Sequence, residues 1–560
     1  MTTKPDLAAS PDDQSKPTMT GAVPLVPLGR PQVAAAARLV AGGVRHPVAL
    51  AGAGLRLTGE LASAAAGVAK REPARGDRRF QDPAWAENPL YRRVLQGYLG
   101  ATAVADDTVG RLGLDDKSEG RARFVVGQVV DALAPTNSLV GNPAALRRAG
   151  ATKGASLAKG ARAMVDDVLH NGAMPKTVDR RPFRLGETVA TSPGAVVLRT
   201  EVFELLQYKP ATPTVGAVPV VFIPPEISRH YILDLSPSRS LVEYLVAQGH
   251  QVFIVSWRNP SAAHREWNLD TYVAASLEGV TTAALIAGSP DVHLVGACAG
   301  GITAAALAGH LAATGERRIR TITFLVTVLD TAAETMASLF LSEWSAAMAV
   351  RGSKRKGVLE GRQLTRMFAW MRPNDLVWNY WVSNYLLGQD PPAFDVLAWN
   401  ADMPNMTAGL HADFASLFLE NPLPQPGKLT VLGTPIDLAK VDQDAYVLAA
   451  LTDHITPWEA CYRTIGILGG NSRFVLSSSG HIQAIVNPPG NKKANYRAAD
   501  DPGPDSATFF GQAERIAGSW WEEWSEWLTT RDGDTRRAPR TLGDKAHPVL
   551  DAAPGRYAAS

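Results

Sequence analysis

"HLVGACAGGITAA", from His293 to Ala305, places one of the chain's two cysteines inside a frame of glycines. Apolar residues lead into Gly296-Ala297-Cys298-Ala299-Gly300, and an alanine-rich helical pattern follows. Strand, G-x-C-x-G turn and helix together make a sharp bend that holds the central side chain in the open, with cysteine in the place of serine. Glycines flank it because side chains at those points would collide with the strand or with the helix packed on it. The sulfur then stands at a helix N-terminus, whose unpaired N–H groups and partial positive charge favour thiolate over thiol. This one stretch therefore predicts a nucleophile and the kind of sheet that carries it.

The neighbouring sequence fits such a sheet. Short apolar runs recur at intervals: "AVVLRTEVFELLQY", "VPVVFIPP", "QVFIVSW", "TITFLVTVLD", "AYVLAAL" and "RFVLSSSG". Helical patterns such as "SRSLVEYLVAQG" separate most of them, which implies a mostly parallel sheet with both faces covered. A nucleophilic cysteine needs a base and a group to orient that base. In the α/β-hydrolase fold the chain order is nucleophile, acid, histidine. Asp453 follows the run "AYVLAAL", and His481 follows "RFVLSSSG", each just past a strand end. Asp330, at the end of "TFLVTVLD", is the alternative acid, and His454 adjoins Asp453 on a loop where neighbouring side chains diverge. Cys461 lies in an apolar helical context and reads as core. The oxyanion donors expected are the backbone N–H of Ala299, after the nucleophile, and that of Ile227, in the loop stiffened by Pro224-Pro225.

Composition sets the outer bounds. With 560 residues the chain has room for two to four domains and a large core. A net charge of +2 supplies no global field toward nucleic acid or anionic lipid. Two cysteines exclude a disulfide framework and a four-thiolate zinc site, so a reducing cytoplasm is expected. The polar start "MTTKPDLAASPDDQSKP" lacks the pattern of a secretory signal, and no apolar run is long enough for a transmembrane segment. Residues 1–30 read as a disordered tail, 31–185 as a helical N-terminal domain, and 186–330 with 428–560 as an α/β-hydrolase catalytic domain. Residues 331–427, rich in Trp, Met and Pro, are too long for one crossover and read as an inserted cap subdomain. "SWWEEWSEWL" puts Trp520, Trp524 and Trp527 on one packing face, and the chain after Thr530 reads as a strap or as disorder.

The motifs "PPEISRHYILDL", "FIVSWRNP", "GACAGG", "YWVSNYLLG", "FDVLAWN", "TDHITPW" and "SSGHIQAIVNPPG" together resemble those of the poly(3-hydroxyalkanoate) synthases. "RRFQDPAWAENPLYRR" and "ALAPTNSLVGNP" resemble the single-subunit branches, and the likeness runs from about Arg79 to Tyr557. The resemblance implies polymerisation of (R)-3-hydroxyacyl-CoA into storage polyester with release of CoA, through a covalent acyl group on Cys298, with Asp453 and His481 completing the triad. It implies no cofactor and no metal. Its partners would be the acyl-CoA substrate, the growing polyester and the granule surface, with granule-associated proteins and a homodimer through the cap segment containing Trp399. The location implied is the cytoplasm, at polyester granules. Gln483 resembles the branch acting on medium-chain monomers and is a candidate substrate-binding residue. The loop departs from the family pattern, reading P-P-E-I-S-R where an Asn-Lys pair is expected after the isoleucine. The alternatives are a cysteine-dependent acyl-CoA thioesterase or hydrolase of the same fold, with water as acceptor, and a non-catalytic granule-coat protein.

Overall fold

Two of the N-terminal helices are set by their caps. In "ENPLYRR" and "GNPAALRR", Asn88 and Asn142 accept N–H bonds from the helix start (Leu90 at 2.9 Å, Ala145 at 3.0 Å), and proline takes the first helical position. Helices Pro47–Ala66, Pro89–Gly110, Asp116–Ala132, Pro143–Ala151 and Ala155–His170 precede the first strand. This computed structural model describes residues 47–333, 335 and 342–560; the tail expected at 1–30 and the start of the helical domain expected at residue 31 lie outside them.

Eleven strands then form one sheet: β1 Gly194–Arg199, β2 Phe203–Tyr208, β3 Val220–Ile223, β4 Val252–Trp257, β5 Val292–Ala297, β6 Ile319–Leu325, β7 Asp444–Ala450, β8 Ser472–Ser477, β9 Asn495–Ala499, β10 Arg515–Ala517 and β11 Asp551–Ala552. Their spatial order is β10-β9-β8-β7-β6-β5-β3-β4-β2-β1-β11. From β4 to β8 every pairing is parallel, and the flanking pairs on each side are antiparallel. β3 to β5 and β7 are almost wholly buried, as strands covered by helices on both faces must be.

The C-terminal segment is an ordered strap rather than disorder. Residues Thr535–Arg537 pair with Thr214–Gly216, and β11 adds an edge to β1. The helix Trp520–Thr529 buries Trp520, Trp524 and Trp527 as the pattern predicts, and Trp521 as well. Between β6 and β7 the chain runs through helices Glu343–Lys356, Gly361–Met371 and Ala408–Glu420. The N-terminal helices dock on this insertion: Arg79 bonds Asn374 (3.0 Å), Gln128 the Trp370 carbonyl (3.2 Å) and Tyr385 the Asp167 carboxylate (2.8 Å). Trp399 is buried within its own chain, its indole N–H donating to the Arg229 carbonyl at 2.8 Å. Among the described residues no helix is long and apolar enough to cross a membrane.

Candidate active site

Cys298 links β5 to the helix Ala299–Thr314 at φ 50°, ψ −119°. That conformation costs a residue with a Cβ on the order of 1–3 kcal/mol, and the surrounding packing holds it. A Cβ on Gly296 would lie 2.6 Å from the Gly301 Cα, one on Gly300 would lie 2.3 Å from the Ile223 carbonyl oxygen, and one on Gly301 2.1 Å from the Thr327 hydroxyl. The glycine frame thus permits close approach of helix to β5, to β3 and to the end of β6. Cys298 N–H donates to the Leu325 carbonyl at 2.9 Å, and the Thr327 hydroxyl to the Cys298 carbonyl at 3.2 Å, fixing both ends of the strained residue.

His481 opens a short helix, His481–Ile485, directly after β8, and is buried. Its Nδ1 lies 2.6 Å from Asp453 Oδ2. The Asp453 carboxylate also accepts the N–H groups of Ile455 (2.8 Å) and Thr456 (3.0 Å) and the Thr456 hydroxyl (2.7 Å). Burial alone would raise the Asp453 pKa, but the His481 charge and these hydrogen bonds hold it below the usual carboxylate range. For His481, burial disfavours the charged ring. The Asp453 carboxylate, with its hydrogen bond to the ring, and the Cys298 sulfur outweigh burial and raise it to about 10. The three side chains selected from the sequence therefore meet at one place.

The other candidates lie elsewhere. Asp330 accepts from Asn421 (2.8 Å) and pairs with Arg463 (3.2 Å), bracing the insertion instead of a histidine. His454 is kept neutral chiefly by burial, which lowers it to about 4, and its Nδ1 is buried without a hydrogen-bond partner among the described residues. Cys461 is core, its sulfur 3.7 Å from the Thr456 carbonyl. Gln483 lies on the outer side of the histidine helix. It is two residues from buried His481 on the same helix, so it points the opposite way and is exposed.

A cavity of about 330 Å³ opens from the sulfur. Cys298, Ala299, Ile227 and Thr456 stand at its head, and Met367, Phe368, Met371, Met406, Phe414 and Phe418 are among the residues of the insertion that wall it. The helix Gly361–Met371 has two working faces. Leu364, Met367, Phe368 and Met371 line this cavity, while Arg362, Thr365 and Arg366 line a separate cleft of about 550 Å³. His481 is held from behind by residues that sequence reading treated only as packing. The Trp520 indole donates to the Ala484 carbonyl (2.7 Å) and the Trp521 indole to the Ile485 carbonyl (3.1 Å), at the C-terminal end of the histidine helix. The sole sequence signal for this was the tryptophan cluster itself.

The chain is similar to known proteins along nearly its whole length. The family described as the poly-beta-hydroxybutyrate polymerase (PhaC) N-terminus matches residues 76–245, and the alpha/beta hydrolase fold matches residues 225–488. The chain is 45% identical over 545 residues to poly(3-hydroxyalkanoate) polymerase 1 of Ectopseudomonas oleovorans, covering 97% of each chain. It is 47% identical over 515 residues to polymerase 2 of the same organism, covering 92% of each. To the poly(3-hydroxyalkanoate) polymerase subunit PhaC of Cupriavidus necator it is 38% identical over 488 residues, covering 86% of this chain and 82% of that one. By sequence along nearly its whole length and by its fold, the chain belongs to the poly(3-hydroxyalkanoate) polymerases, acyltransferases built on an α/β-hydrolase framework.

Proposed function

We propose that the chain polymerises (R)-3-hydroxyacyl-CoA with release of CoA, through an acyl group carried on Cys298. The observation that carries this reading is the hydrogen-bonded pair Asp453–His481, with the Cys298 sulfur close enough to shift the ring, at the head of an apolar cavity. His481 takes the thiol proton, and the sulfur attacks the thioester carbonyl. The N–H groups of Ala299 and Ile227 stabilise the oxyanion, a contribution of about 3–4 kcal/mol per donor. The bond to CoA sulfur breaks, His481 returns the proton to the leaving thiolate, and Cys298 keeps the acyl group. The 3-hydroxyl of a second unit then gives its proton to His481 and attacks the acyl-Cys298 carbonyl, forming an oxoester and freeing the sulfur.

Asp453 is the alternative base for that hydroxyl. Its four accepted hydrogen bonds support an orienting role instead, because they leave the carboxylate little capacity to receive a further proton. The apolar cavity wall supports a polymerase over a hydrolase, since water competes for the acyl-enzyme at each cycle. In this reading residues 331–427 act as the cap, the protein works at polyester granules in the cytoplasm, and the segment around Trp399 contributes to a homodimer.

The test is to replace Cys298, Asp453, His481 and Asp330 singly with alanine and to measure CoA thiol release together with sedimenting polymer. The first three lose both products, and Asp330→Ala retains both. Polymerisation by Cys298→Ala at the wild-type rate, or soluble hydroxy acid as the main product of the wild type, overturns the reading.

A further inference from the structure

Glu226 takes no part in the relay, yet it sits between Pro225 and Ile227 in the loop that carries the second oxyanion donor. Its side chain is 3% exposed, and among the described residues no Lys or Arg pairs with it. One carboxyl oxygen, Oε1, accepts the Thr303 hydroxyl at 2.5 Å; the other, Oε2, is buried with no hydrogen-bond partner among the described residues. Thr303 is fully buried in the helix that begins at Ala299. A helical threonine ordinarily turns its hydroxyl to a carbonyl one turn back, whereas this one bonds across to the loop. At Gly300 the same helix and loop are in backbone contact, since a Cβ there would lie 2.6 Å from the Pro224 carbonyl carbon. The Trp257 indole donates to the Pro224 carbonyl at 2.8 Å and holds the loop as well.

These contacts set where the Ile227 N–H lies relative to the Ala299 N–H. We propose that Glu226, as a neutral carboxylic acid, is the positioning residue of the oxyanion hole, tying the loop 224–227 to the nucleophile helix through Thr303. An ionised carboxylate in the same place would be an unpaired buried charge near a developing oxyanion, which opposes the transition state. Burial pushes the Glu226 carboxyl up to about 7, against the Thr303 hydrogen bond and its own N–H, so the neutral form is available on the acid side of neutrality. The titratable side chain facing it from the helix Leu269–Ala287 is Tyr272, whose phenol is pushed above its usual range, first by burial and then by the Glu226 charge. Tyr272 therefore stays neutral wherever Glu226 titrates. The proposal rests on the acyl-enzyme reading above.

The experiment measures kcat and KM for CoA release from (R)-3-hydroxyacyl-CoA between about pH 6 and 9, the range bracketing that titration. It uses full-length wild type, Glu226→Gln, Glu226→Ala and Thr303→Val, with circular-dichroism melts of each. Glu226→Gln, neutral at every pH, should recover at least about a third of wild-type kcat at pH 6, and the ratio of its kcat to wild type should rise about threefold or more by pH 8.5. Triad titrations are common to both proteins and cancel in that ratio. Glu226→Ala and Thr303→Val should lose about 10–100-fold in kcat with KM within about threefold, less than the loss of a whole donor. A ratio flat across pH, a loss confined to KM, or a folded Glu226→Gln as inactive as Glu226→Ala overturns the proposal. If Glu226→Ala does not fold, Thr303→Val and Glu226→Gln decide alone. Wild-type turnover without a trapped acyl group on Cys298 overturns the parent reading instead.

Discussion

Asp453→Asn removes one charge and almost no volume, so its effect is decided by the hydrogen bonds around the side chain. All four partners of the carboxylate are donors: the N–H groups of Ile455 and Thr456, the Thr456 hydroxyl and His481 Nδ1. An asparagine brings an NH₂ into that ring of donors. Keeping its carbonyl oxygen toward the two backbone N–H groups turns the NH₂ toward His481 and Thr456. Nδ1 must then accept, which moves the imidazole proton to the other nitrogen, the one needed to receive the Cys298 proton. Rotating the Thr456 hydroxyl satisfies one N–H at most. In triads of this type the wrong tautomer lowers kcat about 10⁴-fold, or about 5 kcal/mol in the barrier. The strained hydrogen bonding adds about 1–3 kcal/mol of lost stability. Thiol release from (R)-3-hydroxyacyl-CoA reads the first quantity and a chemical denaturation curve the second. A variant that keeps more than about a tenth of wild-type kcat refutes the tautomer argument, because no arrangement with the correct tautomer satisfies both N–H groups.

Gly300→Ala should lose polymerase activity and destabilise the fold by several kcal/mol, because its methyl would lie 2.3 Å from the Ile223 carbonyl oxygen; Gly466→Ala, with nothing within 4 Å, should melt within a degree or two of wild type. Trp520→Phe removes the donor to the Ala484 carbonyl at 2.7 Å, and should cost about 1–3 kcal/mol in denaturation and lower kcat more than it alters KM. The raised pKa of His481, about 10 in the fold against about 6.5 free, contributes stability that is complete below pH 6.5 and is lost as pH rises toward 10. The stability gap between wild type and His481→Gln should accordingly be larger at pH 6 than at pH 10, and a constant gap would contradict the assignment.

What the sequence determined by itself was local. The strand, the glycine frame and the alanine helix around Cys298 each arise from neighbours within a few residues, as do the strand ends that deliver Asp453 and His481. The caps Asn88 and Asn142 mark their helices in the same way. Which aspartate meets the histidine, however, is a contact across 28 residues, and Asp330 and Asp453 look alike until the sheet order puts β7 beside β8. Gln483 is a second such case. It stands two residues from His481 in the chain, and the turn of the helix sends it to solvent. The brace from Trp520 and Trp521 and the tie from Glu226 to Thr303 join segments 36 and 77 residues apart. Hydrophobic periodicity reports only that a face is buried; the partner it is buried against, and the polar atom left to bond there, exist once the elements have packed.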